Sequence, residues 1–337
     1  MKTIQQKYRN PYFDFLRGFA IVMVVGIHTI KTDNLEFETL EDVCTVLLRL
    51  ILNCAVPLFL AISGYFLGNR NYTYGASHLT FLKHQIPKIY IPCLVFSLPY
   101  LFFALKSDTH SLFQSLALYF ACGFSVYYFV ALIIQYYLLL PLLSKCNRGG
   151  VYLCVALSFV SILIVTYLLR ILHIDLPLLL YAGPFPVWIL FFVMGVYFSK
   201  HNRNYSLLLP SLLVIVGFIL QIIEYIYWIN KGQMALGIKS SSFVFSTGVI
   251  WLLFSKRFEN SYSKKCTYPI FKVINWIGGI SFGIYLLHCH IISLENKFFS
   301  HMSWMWSWIF VLSISILVIW IARAMFPGFS KKYLGFR

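Results

Sequence analysis

The chain has 337 residues, of which 60% are apolar and 11% charged, with a formal net charge of +16. A soluble domain carries roughly a quarter charged residues, and no soluble core of this size hides so much apolar surface, so lipid must cover part of it. Apolar runs of about 18 residues or more recur along the chain, each long enough to cross a ~30 Å hydrocarbon core as a helix. Continuous runs, rather than short alternating ones, exclude a β-barrel.

The expected fold is all-α and integral to the membrane: a polytopic bundle of about ten transmembrane helices, with one membrane domain over 1–337 and no soluble appendage. In chain order the expected spans are 13–31, 43–68, 86–105, 126–144, 150–169, 184–200, 206–229, 237–255, 277–294 and 303–324. The segment 111–122 is apolar but short, which fits an interfacial or re-entrant piece. The first run follows Lys2, Lys7 and Arg9 as a signal peptide would, but Asp14 and Arg17 open it and no small-x-small site follows His28, so a retained helix is expected.

Basic residues set the orientation. With the N-terminus inside, the inner segments hold nineteen Lys and Arg, among them Lys2, Lys7, Arg9, Arg70, Lys83, Lys88, Arg203, Lys256, Lys272, Arg323 and Arg337. The outer segments hold six: Lys31, Lys106, Arg170, Lys231, Lys239 and Lys297. This bias places both termini in the cytoplasm and explains the positive charge without nucleic acid. The first outer loop carries five acids (Asp33, Glu36, Glu38, Glu41, Asp42), read as a solvated loop. The eight cysteines are scattered without a C-x-x-C pair and read as apolar packing residues, Cys289 between two histidines being the one to watch.

Ionisable groups inside a membrane are costly and mark function. The first helix holds Asp14, Arg17 and His28. Arg17 and His28 are eleven residues apart, about 20° beyond three full turns, so they share a face and lie ~16 Å apart along the axis. Asp14 sits three residues before Arg17, close to the same stripe. A histidine suits proton transfer near neutral pH, and an arginine suits forked binding of phosphate or carboxylate. Arg49, in the second helix, fits snorkelling or function equally, and Glu224 is a weaker candidate. In the ninth helix Ser281, Tyr285 and His288 share a face, while His290 points elsewhere. No metal site is expected, because His288 and His290 two residues apart cannot face one ion on a regular helix. No phosphate loop, dinucleotide fingerprint, H-E-x-x-H or G-x-S-x-G is present.

Four stretches in order resemble the membrane acyltransferase-3 family, which includes glycan O-acetyltransferases. FDFLRGFAIVMVVGIH at 13–28 is similar to its first helix, in which an Arg or Lys, ten residues and a His give Arg17 and His28. VPLFLAISGYFL at 56–67 resembles its PLFF-x-x-SG helix and gives Ser63 and Gly64. YYFVALIIQYYLLLPLL at 127–143 resembles its aromatic-rich helix. WIGGISFGIYLLH at 276–288 resembles its S-x-x-x-Y-L-x-H helix and gives Ser281, Tyr285 and His288. One departure is clear: where the family often has R-x-x-R, this chain has Gln85 and Lys88, with Lys83 and His84 nearby.

The resemblance implies transfer of an acyl group, usually acetyl, from a cytoplasmic acyl-CoA to a sugar hydroxyl of a surface glycan or its lipid-linked precursor. Acetyl-CoA is then a co-substrate, and no bound cofactor is expected. Arg17, Lys83 and Lys88 are the expected phosphate contacts. His28 deprotonates the acceptor or relays the acyl group, and Tyr285 and His288 orient acceptor or acyl carbonyl. The implied location is the bacterial inner membrane. A glycan-lipid flippase or small-solute transporter is the rival reading; it moves intact substrate and needs no acyl-CoA.

Overall fold

The computed structural model describes residues 10–30, 39–69, 72–107, 111–233, 236–299 and 302–336. Lys2, Lys7, Arg9, Lys31, Asp33, Glu36, Glu38, Arg70 and Arg337 lie outside them. Among the described residues the chain is helical and free of strands. The helices are α1 (Pro11–Thr29), α2 (Leu40–Leu52), α3 (Ala55–Gly68), α4 (Ala76–Lys106), α5 (Leu112–Phe120), α6 (Tyr128–Leu143), α7 (Arg148–Thr166) and α8 (Leu178–Ala182). They continue as α9 (Phe185–Lys200), α10 (Leu208–Ile229), α11 (Ser240–Leu253), α12 (Lys256–Lys265), α13 (Pro269–Gly279), α14 (Ser281–Phe298), α15 (Trp304–Met325) and α16 (Pro327–Tyr333).

Seven helical stretches are long and apolar enough to cross a membrane, and α13 with α14 makes an eighth if the pair counts as one. The apolar α9 and α11, with 16 and 14 residues, are shorter than a typical span. Each of the ten expected spans contains helix among the described residues, but two are broken. The second divides between α2 and α3 at Asn53–Cys54, and the ninth bends by 80° between α13 and α14. The third begins ten residues early, so Lys83 belongs to α4 together with Lys88 and not to the loop before it.

Burial divides the bundle into an inner and an outer set. α1, α3 and α9 are buried along most of their length and form the core. α4, α7, α10 and α15 leave rows of large apolar side chains exposed, such as Ile215, Ile219 and Ile223 on α10. Apolar helices exposed on one side only need an apolar solvent there, which makes this a multi-pass membrane protein. Glycines set the inner contacts. Gly18 on α1 and Gly278 on α13 each face the other helix's backbone so closely that a methyl group on either would overlap a carbonyl. Gly64 and Gly195 do the same for α3 and α9. Close backbone approach through small residues is how membrane helices gain packing.

Two of the basic segments meet at the start of α1. The Asn10 side chain caps α1 through the Tyr12 N–H and donates to Glu259 at 2.9 Å. Arg203 donates to Glu259 at 2.6 Å, and Lys256 at 2.9 Å. This cluster clamps the start of α1 to the segment before α10 and to α12. Burial pushes the Glu259 carboxyl up, but hydrogen bonds from Asn10 and Lys256 and the charges of Arg203 and Lys256 outweigh it and hold it below the usual range. A depressed folded-state value contributes stability above the unfolded pKa of about 4.3, lost as pH falls through the folded value. Glu259→Gln is therefore expected to lower the melting temperature at pH 7, by a difference that shrinks as the pH is taken progressively below about 4.3. Thermal unfolding of both proteins in detergent over a series of pH values checks this; a difference that does not change with pH down to full protonation of the carboxyl rules the coupling out.

Candidate active site

One cavity of about 450 Å³ runs along α1 and is walled by α3, α4, α6 and the bend between α13 and α14. Arg17, His28, Ser63, Lys88, Ser281 and Tyr285 all line it. Arg17 and His28 face one space because α1 is unbroken between them, so their eleven-residue spacing keeps them on one stripe.

At the far end His28 is exposed, and the space it faces is this cavity. Its side chain has no hydrogen-bond partner among the described residues. The His288 ring lies 5.3 Å away, tilted by 47°, and is itself fully buried. His288 Nδ1 is 2.7 Å from the Tyr285 carbonyl oxygen. A carbonyl only accepts, so Nδ1 carries a proton, and Nε2 lies 3.4 Å from the Cys289 sulfur. The Tyr285 hydroxyl donates to the Val126 carbonyl at 2.7 Å, pinning the 3₁₀ turn Ser125–Tyr127 to α14. Sequence reasoning missed this turn as a structural unit. Tyr127 donates to the Leu286 carbonyl at 2.8 Å, and His290 Nε2 lies 3.0 Å from the same hydroxyl and 2.8 Å from the Phe96 carbonyl. His290 is thus a strut between α14, α4 and the turn, pointing away from His28.

At the near end the Arg17 guanidinium pairs with Asp14 at 3.0 Å and lies 4.6 Å over the Phe66 ring. Carboxylate and ring together fix the guanidinium at the cavity mouth, and the Lys88 side chain lines the same mouth. Ser63 donates back to its own helix at the Phe59 carbonyl, 2.9 Å away. A shallower polar recess adjoins this end, lined by Asp14, Lys272, Asn275, Trp276 and Arg323, and it shares Gly279 and Ile280 with the cavity.

The remaining candidates lie elsewhere. Lys83 is not among the cavity-lining residues. Arg49 is buried rather than snorkelling: it donates to Asn53 at 2.7 Å, and Asn53 donates to Gln221 at 2.9 Å. Glu224 pairs with Arg170 at 3.7 Å and accepts from Ser241. Arg170 and Lys239, counted as outer-loop cations from the sequence, are buried at 6% and 0% exposure. This cluster ties α2, α10 and the entry to α11 together, and their scatter over three loops and helices hid it from any local motif. Among the described residues no group of three or more His, Cys, Asp or Glu is placed to hold a metal ion.

The family model described as an acyltransferase domain matches residues 10–324, nearly the whole chain. The chain belongs to the acyltransferase-3 family. No curated protein and no solved structure matches it. The match covers α1 to α15 but for the last residue, so it takes in the cavity walls contributed by α1, α3, α4, α6, α13 and α14.

Proposed function

We propose that this acyltransferase moves an acetyl group from acetyl-CoA to a sugar hydroxyl of a cell-surface glycan or its lipid-linked precursor. The observation that carries the reading is one cavity with a cation at one end and, at the other, an imidazole without a hydrogen-bond partner among the described residues. Arg17 and His28 are ~16 Å apart along the helix. The pantetheine arm of CoA has about thirteen bonds between thioester sulfur and phosphate. At ~3.5 Å for every three bonds of extended chain, that is about 15 Å. An arm laid along α1 sets its phosphate at Arg17 and Lys88 and its thioester at His28.

The reaction then needs only groups already in place. His28 takes the proton of the acceptor hydroxyl as its oxygen attacks the thioester carbonyl. The C–S bond breaks, and the CoA thiolate leaves with the proton returned from His28. His288, held by the Tyr285 carbonyl, supports the His28 ring from behind. The Lys- and Arg-rich end faces the cytoplasm in this reading, with ten spans, both termini inside and a bacterial inner membrane as host.

The test is mass spectrometry of surface glycans from cells with and without the gene. The expected result is the loss of one acetyl mass per repeat unit, restored by the wild-type gene. Unchanged glycan chemistry with an altered amount or location of glycan would support the transport reading instead.

A further inference from the structure

The break between α13 and α14 places the start of a long helix inside the cavity. Gly278, Gly279, Ile280, Ser281 and Phe282 all line it, and α14 leaves at 80° to α13. The first N–H groups of a helix have no acceptor within it, and their dipoles add up to a partial positive charge. No side chain caps this helix start. Ser281, its first residue, is 8% exposed, and its hydroxyl has no hydrogen-bond partner among the described residues. The residue is buried except where it borders the cavity, so its hydroxyl is left to hydrogen-bond what the cavity holds. Arg17 and Lys88 line the same mouth. Backbone donors, a hydroxyl and two cations converging on one space fit a phosphate group.

We propose that Ser281 and the N-terminus of α14 hold the phosphate that joins the pantetheine arm to the nucleotide of the donor. This assignment rests on the acetyl-CoA reading and adds a receptor that the basic residues alone do not supply. Arg17 and Lys88 give charge, while Ser281 and the adjacent N–H groups give direction. The bend is then a functional feature of the fold: a straight ninth span would carry its N–H groups into its own hydrogen-bond ladder. The nearby Lys272, Trp276 and Arg323 place the polar recess where the rest of the nucleotide would emerge.

The test measures binding of CoA, 4′-phosphopantetheine and unphosphorylated pantetheine to purified protein in phosphatidylcholine nanodiscs. The wild-type protein is expected to bind both phosphorylated probes more tightly than pantetheine. Ser281→Ala is expected to weaken the phosphorylated probes about tenfold, the scale of one hydrogen bond to a charged group, and to leave pantetheine unchanged. Ser281→Thr keeps the hydroxyl and is expected to retain the parent affinity, and unchanged pantetheine binding reports an intact cavity. An equal loss for all three probes, or none, overturns the assignment while leaving the acetyl-CoA reading standing. Failure of the wild-type protein to bind CoA overturns both. If the wild-type protein shows no phosphate preference and Ser281→Ala instead changes its stabilisation by added phosphatidylglycerol, the site belongs to a lipid headgroup and the donor assignment falls.

Discussion

His28→Ala is expected to abolish acetyl transfer while leaving the protein in the membrane at its normal abundance. General acid–base catalysis by a positioned side chain contributes about 10²–10⁴-fold, so a cell-based glycan assay would read the variant as inactive. The two halves of this prediction rest on separate observations. Activity is expected to depend on His28 because it is the imidazole that lines the cavity, whereas the neighbouring His288 is fully buried and directs Nδ1 at a carbonyl. Abundance is not, because the His28 side chain has no hydrogen-bond partner to lose among the described residues and faces the cavity. His288→Ala is a different case. It removes a fully buried ring and leaves the Tyr285 carbonyl without that partner, so its loss of activity is expected to come with a loss of thermal stability. Glycan mass spectrometry with parallel immunoblots of the membrane fraction measures both quantities. Normal acetylation by His28→Ala at normal abundance would remove His28 from the chemistry and with it the direction assigned to the cavity.

The parts of the site that were legible from sequence are those that one regular helix fixes alone. Arg17 and His28 share a face by arithmetic, and α1 is helical throughout, so both reach the cavity. Ser281, Tyr285 and His288 lie within α14 at steps of four and three, and the first two of them line the cavity. What was not legible depends on the meeting of distant segments. Hydropathy reads 277–294 as one span, but the chain bends by 80° at Ile280, just after Gly278 packs α13 against Gly18 of α1. Charge counting placed Lys239 and Arg170 in outer loops, yet both fold inward against Glu224 and Gln221. Lys83 and Lys88 look equivalent in sequence, but on α4 they are five residues apart, about 140° around the helix, so only one can face the cavity. Lengths mislead as well: α9 is the most completely buried helix of the core and yet too short for a typical span.

Gly278→Leu is expected to leave little folded protein, and Gly18→Leu to do the same from the other side of the contact. An ordinary overpacked core residue costs about 1–3 kcal/mol, because neighbouring side chains shift to new rotamers. Here the atoms in the way are backbone: a Cβ on Gly278 meets the Asp14 carbonyl, and one on Gly18 meets that of Ile274. Neither helix can yield locally, so α13 must move off α1 as a body. That movement is also the most direct route to losing function, because α1 carries Arg17 at the cavity mouth and α13 leads into the bend that presents Ser281. Packing and chemistry therefore share one contact, and stability and acetylation are expected to fall together. Gly328→Ala is the control, since a Cβ there meets nothing within 4 Å, and it should match the parent in both respects. Size-exclusion profiles and melting curves of detergent extracts, compared with glycan acetylation, test the coupling. A Gly278→Leu protein that melts with the parent would mean that α1 and α13 do not approach this closely, and the placement of Ser281 beside Arg17 would fall with that contact.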